Sequence, residues 1–395
     1  MNNGNRRAFL RKAAATAASA GIGWSAVLSH AAESKDSKGI PRIVYRDLGS
    51  TGYKVSEIGM GCMNMRDSEL VHAAIDSGLN YIDTAHIYMN GQNEEVVGKV
   101  MKTKRERVFL TTKVGLRITM DQVPRQIELS LKRLQTDHVD LLLLHHGGDT
   151  SELVLDEDHM KVLDEARRKG QTRFVGYSTH TSDPKVYETT IACKFYNAVL
   201  LCYNYASPPS LTASIEKMRK SGIAVIAMKN LLNFNTNPRK PLDDIRADKK
   251  GTETYAQALF KWVLSNRYVD TTIAGITAFE HLTENLAVMG KKMTLNDHGL
   301  LRRFSESVRG THCMSLAGCT GCEGQCPKGV PVCELNRCLG YAYGYGDIRL
   351  ARENYYQLPR EARVDRCGDC DECVIRCVNG IDLNKTIQRA RELFA

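Results

Sequence analysis

The 395-residue sequence has little net charge of one sign, no long apolar run and no internal repeat of solenoid length. Its net charge is +9, and Arg6, Arg7, Arg11 and Lys12 supply four of these charges before the first acid, Glu33, leaving about +5 for the rest. So small and dispersed a surplus does not indicate nucleic-acid binding. The apolar run near the N-terminus is short and Ala-rich, so a spanning helix is not predicted. The missing repeat excludes a solenoid.

Cysteine is scarce in the first 300 residues and frequent after them. Only Cys62, Cys193 and Cys202 lie in the first part, whereas ten cysteines fall between Cys313 and Cys377. This distribution predicts two domains with different chemistry. The length and the hydrophobic fraction of 43% suit one large globular domain with a smaller appendage.

Strand-like and helical runs alternate eight times between residues 43 and 300, which predicts an α/β fold, the (β/α)8 TIM barrel. The predicted strands are Val55–Cys62, Tyr81–Asp83, Val108–Lys113, Val139–His145, Phe174–Ser178, Ala198–Asn204, Ala224–Lys229 and Thr271–Ile276. The longest predicted helices are Asp67–Ser77, Asp121–Leu134, Asp158–Lys169, Leu211–Lys220, Glu253–Ser265 and Phe279–Met289.

Three successive predicted strands end in an ionisable residue: Asp83, Lys113 and His145. A tyrosine, Tyr88, follows the first of them in a predicted loop. Because a (β/α)8 barrel carries its chemistry at the C-terminal ends of its strands, these four side chains are expected to meet at one mouth.

This constellation resembles the aldo-keto reductase family. The similarity extends over about residues 43–295, through Asp83-Thr84-Ala85 with Tyr88, the Lys113 strand, Val139-Asp140-Leu141 before His145, Gly176-Tyr177-Ser178, Ala258–Leu264 and Gly275–Asn285. The resemblance implies hydride transfer between a nicotinamide cofactor, NADP or NAD, and a small carbonyl or alcohol substrate.

The resemblance also implies the catalytic roles. Tyr88 is expected to donate the proton, with the Lys113 ammonium favouring its ionised form. Asp83 is expected to hold Lys113 in place. His145 is expected to donate a hydrogen bond to the substrate oxygen and so stabilise the developing alkoxide.

The family pattern assigns nucleotide contacts to Ser178, for the nicotinamide carboxamide, and to Glu284 and Asn285, for adenine. Lys229 is a further candidate cofactor contact. Four positions depart from the pattern: Thr179, Leu200, Met228 and His281. His281 stands where an arginine usually grips the 2′-phosphate, so the choice between NAD and NADP stays open.

The C-terminal cysteines form two runs. Cys367, Cys370, Cys373 and Cys377 have C-x2-C-x2-C-x3-C spacing, and Cys319, Cys322 and Cys326 form a shortened run upstream. The pair resembles a two-cluster bacterial ferredoxin domain, which implies a small α-rich module with one or two [4Fe–4S] clusters.

In such domains the last cysteine of each run serves the other cluster. One cluster is then expected on Cys326, Cys367, Cys370 and Cys373. The other is expected on Cys319, Cys322 and Cys377, with a fourth ligand from Cys313, Cys333 or Cys338. Structural zinc and disulfides are the alternatives, and the spacing disfavours both.

Residues 1–32 resemble a twin-arginine export signal, with Arg6 and Arg7 before Phe9 and Leu10. The predicted division is this signal at 1–32, a linker at 33–42, the barrel at 43–300 and the iron–sulfur domain at 301–395. The chain is expected to be extracytoplasmic or periplasmic, with no stable membrane span after cleavage and no nucleic-acid partner.

These features together predict an exported oxidoreductase. Two alternatives remain: a barrel that binds nucleotide without catalysis, and an iron–sulfur electron-transfer protein that uses the barrel as a scaffold and meets a redox partner protein. A hydride carries two electrons and a [4Fe–4S] cluster moves one, and no flavin motif is evident. The clusters are therefore either structural or redox-active.

Overall fold

The structure, a computed structural model, describes residues 42–116, 118–231, 254–315, 319, 321–368, 370 and 373–394. The predicted export signal and nearly all of the predicted linker lie outside the described residues. Within the described ranges, every helix is too short or too polar to cross a membrane.

Eight parallel strands close into a barrel in the described part of the chain, which confirms the predicted (β/α)8 fold. The strands are β3 (Ile58–Gly61), β4 (Tyr81–Asp83), β5 (Phe109–Val114), β6 (Val139–Leu144), β7 (Thr172–Thr179), β8 (Ala198–Cys202), β9 (Ala224–Met228) and β10 (Thr271–Gly275). Pairing of Thr272 on β10 with Ile58 on β3 closes the ring.

The predicted extent of the first strand, Val55–Cys62, is wrong. This stretch divides at Glu57 into β2 (Lys54–Ser56), which pairs antiparallel with β1 (Tyr45–Asp47), and β3 in the barrel. The Glu57 carboxylate accepts hydrogen bonds from Arg46 Nη2 at 2.7 Å and Gly290 N at 2.9 Å. These contacts hold the chain at the break between hairpin and barrel.

Helices follow the strands around the barrel: α1 (Ser68–Asp76), α2 (Gln92–Lys104), α3 (Val123–Leu134), α4 (Ser151–Val154), α5 (Glu157–Arg168), α6 (Pro184–Cys193), α7 (Pro209–Lys220), α8 (Tyr255–Ser265) and α9 (Phe279–Leu286). Several begin at an aspartate whose side chain accepts a backbone N–H of the first turn, as Asp67, Asp156 and Asp183 do. Such caps explain why the first residues of these helices can be predicted from the sequence.

The tail consists of short helices: α10 (Leu295–Val308), α11 (Val332–Tyr343), α12 (Ile348–Tyr356) and α13 (Leu383–Phe394). Helix α10 spans the predicted domain boundary at residue 300 and packs against barrel helix α8. A buried ion pair, Lys261 Nζ to Asp297 Oδ1 at 3.1 Å, joins these two helices. The later helices bury apolar side chains, with Leu335, Ala351 and Ala390 fully covered, in a cluster that also includes barrel residues such as Leu141 and Leu200.

Candidate active site

A buried lysine is the centre of the barrel mouth. Lys113 Nζ, at the end of β5, lies 2.5 Å from Asp83 Oδ1 and donates to Thr84 O at 2.7 Å. The same ammonium lies 3.3 Å from the hydroxyl of Tyr88. Burial lowers the pKa of Lys113 and raises that of Asp83, while the attraction between the two opposes both shifts. The structure thus brings together the three predicted residues Asp83, Lys113 and Tyr88.

Tyr88 stands on a tight turn rather than in an open loop. It begins a 3-10 turn, Tyr88–Gly91, that leads into α2. Gly91 has φ of +90°, and a Cβ there would lie 2.2 Å from the guanidinium carbon of Arg133. The absence of a side chain lets Arg133 pack against the turn, where it donates to His86 O at 3.2 Å. This packing fixes the segment that carries the phenol.

His145 completes the expected group at the end of β6. Its ring lies edge-on to Tyr88, with the ring centroids 5.9 Å apart. Burial, followed by the neighbouring His146 and Lys113, lowers the pKa of His145 well below 6.5. His145 is therefore a neutral imidazole at neutral pH, which can donate one hydrogen bond to a substrate oxygen.

Tyr88 is held as a phenol. Burial, followed by the Asp83 carboxylate, raises its pKa, and the nearby ammonium of Lys229 lowers it. The sequence predicted that Lys113 would favour the phenolate, but in the structure burial and Asp83 have the larger effect. Lys229 follows β9 in a left-handed conformation, with φ of +59°. Burial acts to lower the pKa of Lys229, but the phenols of Tyr341, Tyr345 and Tyr88 outweigh burial and raise that pKa.

A cavity of about 720 Å³ opens beside these groups. Tyr88, Lys113, His145, Ser178 and Lys229 lie on its barrel side. Ser178 Oγ accepts a hydrogen bond from the backbone N–H of His146 at 3.1 Å, so its orientation is fixed. We call this space the first cavity.

A second cavity, about 690 Å³, runs from Tyr88 and Lys229 to the other side of the mouth. Glu284 and Asn285 of α9, together with His281, line its far end. Tyr88, Met228 and Lys229 line both cavities, so the two meet at the phenol. An elongated ligand in the second cavity can thus present one end to Tyr88 and the other to Asn285.

Comparison with known proteins agrees with this arrangement. Residues 57–306 match the model of the aldo/keto reductase family. The chain belongs to the aldo/keto reductase family. It is therefore an oxidoreductase. The tail after residue 306 lies beyond the matched range.

The match with each of the following relatives covers nearly the whole length of that relative. The uncharacterised oxidoreductase YqkF of Bacillus subtilis is 26% identical over 297 residues, 63% of this chain and 92% of its own. Methylglyoxal reductase DkgB of Escherichia coli O157:H7 is 26% identical over 251 residues, 62% of this chain and 90% of its own. A Klebsiella pneumoniae aldo-keto reductase solved with NADPH is 26% identical, with a TM-score of 0.53 over 66% of this chain and 95% of that one.

Two of the residues that differ from the family pattern, Thr179 and His281, contact polar side chains nearby. Thr179 Oγ1 donates to Asp149 Oδ1 at 2.8 Å, and His146 Nδ1 lies 2.7 Å from the other oxygen of that carboxylate. His281 Nδ1 lies 3.3 Å from the hydroxyl of Thr277. These contacts hold Thr179 and His281 in place, but neither residue supplies a guanidinium that could bind a phosphate.

The C-terminal cysteines approach one another in two groups. Burial, then the thiols of Cys313, Cys319 and Cys377, raises the pKa of Cys322 to about 11. Burial, followed by the thiols of Cys326, Cys370 and Cys373, raises the pKa of Cys367, whereas Arg391 lowers it. Each group thus includes one cysteine of the other run: Cys377 affects Cys322, and Cys326 affects Cys367.

Direct contacts also tie the two cysteine runs together. Asn379 Nδ2, two residues after Cys377, donates to Cys319 Sγ at 3.4 Å. A Cβ on Gly321 would lie 2.8 Å from Val378, so the first run needs glycine where the second packs against it.

No thiol group is assembled as a metal site in this structure. All thirteen cysteines lie in the described part of the chain and are free thiols. Among the described residues, no three His, Cys, Asp or Glu side chains are arranged to hold a metal ion.

Sequence analysis missed the residues that the tail contributes to the mouth. Arg337 and Tyr341 of α11 line the first cavity, and Tyr345 lines the second. The Lys229 ammonium lies 5.6 Å from the centroid of the Tyr341 ring. These contacts join segments more than 100 residues apart, and no local spacing in the sequence could have indicated them.

Proposed function

We propose that this protein is an NAD(P)H-dependent carbonyl reductase with an iron–sulfur tail. The observation that carries the first part is the contact of Lys113 Nζ with both Asp83 and Tyr88 at the meeting point of two cavities. Family membership supports NADP as the nucleotide, because the Klebsiella pneumoniae relative was solved with NADPH. Ser178, Lys229, Glu284 and Asn285 are the residues that would hold it.

The bound nicotinamide would supply the hydride. Tyr88, as a buried phenol, would donate the proton to the carbonyl oxygen. Lys113 and Lys229 would stabilise the negative charge left on the phenolate, and Asp83 would keep Lys113 oriented. Neutral His145 would donate a hydrogen bond to the same oxygen and favour the developing alkoxide.

Replacement of Tyr88 by Phe tests this mechanism. Tyr88→Phe removes the proton donor and leaves the ring, so carbonyl reduction should fall by at least ~100-fold while nucleotide affinity changes little. Stopped-flow oxidation of NADPH by a panel of aldehydes measures the first quantity, and fluorescence titration measures the second. Retained turnover in Tyr88→Phe would remove Tyr88 from the mechanism.

The cysteine-rich tail is proposed to hold [4Fe–4S] clusters. The two thiol groups fit the donor set of such clusters, four thiolates each, if Cys313 or Cys333 joins Cys319, Cys322 and Cys377. Cys313 is the better candidate, because, after burial, Cys377 raises the pKa of Cys313 and Cys313 raises that of Cys322.

An electron-transfer function is the second candidate. Cys319 and Cys333 line the first cavity together with Tyr88, so the thiol group and the phenol share one space. Reduction of the tail by a redox partner protein, with no change in NADPH oxidation, would favour this function. A barrel that binds nucleotide without turnover is the remaining alternative, and the aldehyde panel tests it directly.

Export through a twin-arginine route is proposed for the whole chain, because Arg6 and Arg7 precede a weak apolar run. That route carries folded proteins, so the nucleotide would have to cross with the protein. The double variant Arg6→Lys, Arg7→Lys should stay in the cytoplasm. Wild-type protein in the periplasmic fraction should retain nucleotide after dialysis. Uncleaved wild-type protein in the cytoplasm would contradict export.

A further inference from the structure

A buried arginine from the tail faces the active site with part of its hydrogen-bonding capacity unused. Arg337, on α11, is 8% exposed and lines the first cavity opposite the barrel. Its Nη2 donates to Glu334, one turn earlier on the same helix. Its Nε–H has no hydrogen-bond partner among the described residues.

An unsatisfied donor on a buried guanidinium is unusual. Buried polar groups nearly always have a hydrogen-bond partner, and a buried donor on a charged group costs free energy when it has no acceptor. Arg337 lies in the lining of the first cavity, so a ligand there can reach its guanidinium. Glu334, whose side chain is 32% exposed, lines the same cavity and pairs with Nη2.

Among the described residues, Glu334 is the carboxylate that pairs with Arg337. His145 and His180 lie near enough for the guanidinium to lower their pKa, although burial is the larger cause, and both are neutral imidazoles at neutral pH. Lys229 adds a second cation on the same cavity, facing tyrosines. Of the carboxylates that line the first cavity, Glu334 pairs with Arg337, Asp149 with His146 and Glu353 with Arg349. Asp183 caps α6, and Glu323 also lines the cavity.

We propose that Arg337 binds an anionic group, a carboxylate, on the carbonyl substrate, so that the tail selects oxo acids for reduction by the barrel. The inference rests on the proposed reductase function and adds the substrate class. A guanidinium can present two N–H groups in parallel to a carboxylate, which gives such a contact its geometric specificity.

The first cavity holds both the reacting groups and the arginine. His145 lies beside Tyr88, with the ring centroids 5.9 Å apart, and Arg337 lines the same cavity. A substrate whose carbonyl oxygen lies between Tyr88 and His145 can therefore place a carboxylate at Arg337 within one cavity.

The test compares 4-oxobutanoate with its methyl ester, which has the same aldehyde but no charge. The wild-type holoenzyme should prefer the acid in kcat/KM. In Arg337→Met the acid-to-ester ratio should fall by about 10- to 100-fold, the range measured for hydrogen bonds to charged groups, and chiefly through KM. Arg337→Lys should recover part of the ratio, because it restores charge without the two-pronged geometry.

A matched arginine controls for general effects of charge. Arg360 is exposed in the same tail and lines neither cavity. Arg360→Met should keep the wild-type ratio. Nucleotide affinity and iron content of each variant report whether the tail has stayed folded.

Several outcomes separate this inference from the reductase proposal. Equal use of acid and ester by wild type would overturn the inference and leave the reductase intact. If wild type reduces neither compound, the reductase proposal loses support, and calorimetric titration with succinate decides the inference: wild type must bind succinate at least tenfold more tightly than dimethyl succinate. Equal affinities would overturn it even if Arg337→Met failed to fold.

Discussion

The barrel and the tail satisfy their buried polar groups in different ways. In the barrel, the buried cations have protein partners: Lys113 pairs with Asp83 at 2.5 Å, and Lys261 pairs with Asp297 at 3.1 Å. In the tail, thiols lie near one another in two groups. After burial, Cys313, Cys319 and Cys377 raise the pKa of Cys322, and Cys326, Cys370 and Cys373 raise that of Cys367. The barrel thus pairs buried cations with carboxylates, whereas the tail gathers thiols, the donor type proposed above for iron–sulfur clusters.

The two regions also differ in how their cores form. The barrel strands are buried on both faces, as Phe109–Val114 and Val139–Leu144 are along their whole length. The tail has short helices joined by irregular segments around a small apolar core. Because a small core supplies little stability, a metal cluster would contribute much of the stability of the tail.

The largest expected effect is loss of the metal from the tail. Cys370→Ser should abolish at least one cluster, because Cys370 belongs to the group around Cys367. Anaerobically purified wild type should contain about four or eight iron atoms per chain with matching sulfide. In the variant, iron should fall by at least half and the tail should become sensitive to protease, while the barrel still binds nucleotide.

Cys193→Ser is the matched control, because this half-buried cysteine of α6 lies in the barrel and donates to Thr190 O. It should leave the iron content unchanged. Zinc without sulfide in wild type would contradict the cluster assignment and would make the tail a structural zinc domain instead.

The same contrast explains what the sequence could predict. Alternation of buried strands and capped helices predicted the barrel, and the ionisable residues Asp83, Lys113 and His145 at strand ends predicted the mouth. The break at Glu57 could not be predicted, because it depends on Arg46 and on Gly290, which is distant in sequence.

The electrostatics of the site also depended on tertiary structure. The sequence suggested a phenolate-favouring lysine beside Tyr88, but burial and Asp83 determine the direction in which its pKa moves. The contribution of α11 to the mouth was equally invisible, since Arg337 and Tyr341 meet β6 and β9 only after the tail has folded over the barrel. The residue types predicted which chemical groups the site contains, and packing determines the protonation state of those groups.

A second prediction concerns the seam between barrel and tail. Lys261→Met leaves the Asp297 carboxylate, which is fully buried, without its cation, and should lower the free energy of unfolding by about 3–5 kcal/mol. Chemical denaturation followed by circular dichroism measures the loss. The matched change Lys217→Met removes an exposed pair with Glu188 and should cost at most about 1 kcal/mol. Equal losses in the two variants would mean that the buried pair does not hold α10 to the barrel.

The smallest expected effect lies where the tail covers the second cavity. Gly344, Tyr345, Gly346 and Asp347 form one wall of that cavity. Asp347 makes two contacts: Oδ2 lies 3.6 Å from Arg66 Nη2 of the barrel, and Oδ1 accepts the Leu350 N–H at 2.9 Å as the N-cap of α12. If the tail retains the nucleotide, the contact with Arg66 should slow its release.

Asp347→Asn separates the two roles, because Asn caps a helix about as well as Asp but carries no charge to attract Arg66. Half-exposed ion pairs contribute about 1 kcal/mol or less, so nucleotide dissociation should accelerate by at most about fivefold. Displacement of bound NADPH in a stopped-flow fluorimeter measures the rate, and the salt dependence of that rate should weaken in the variant. Asp365→Asn, an exposed tail substitution away from both cavities, should leave the rate unchanged. Identical release from wild type and Asp347→Asn at low salt would show that the tail covers the cavity without closing it through this contact.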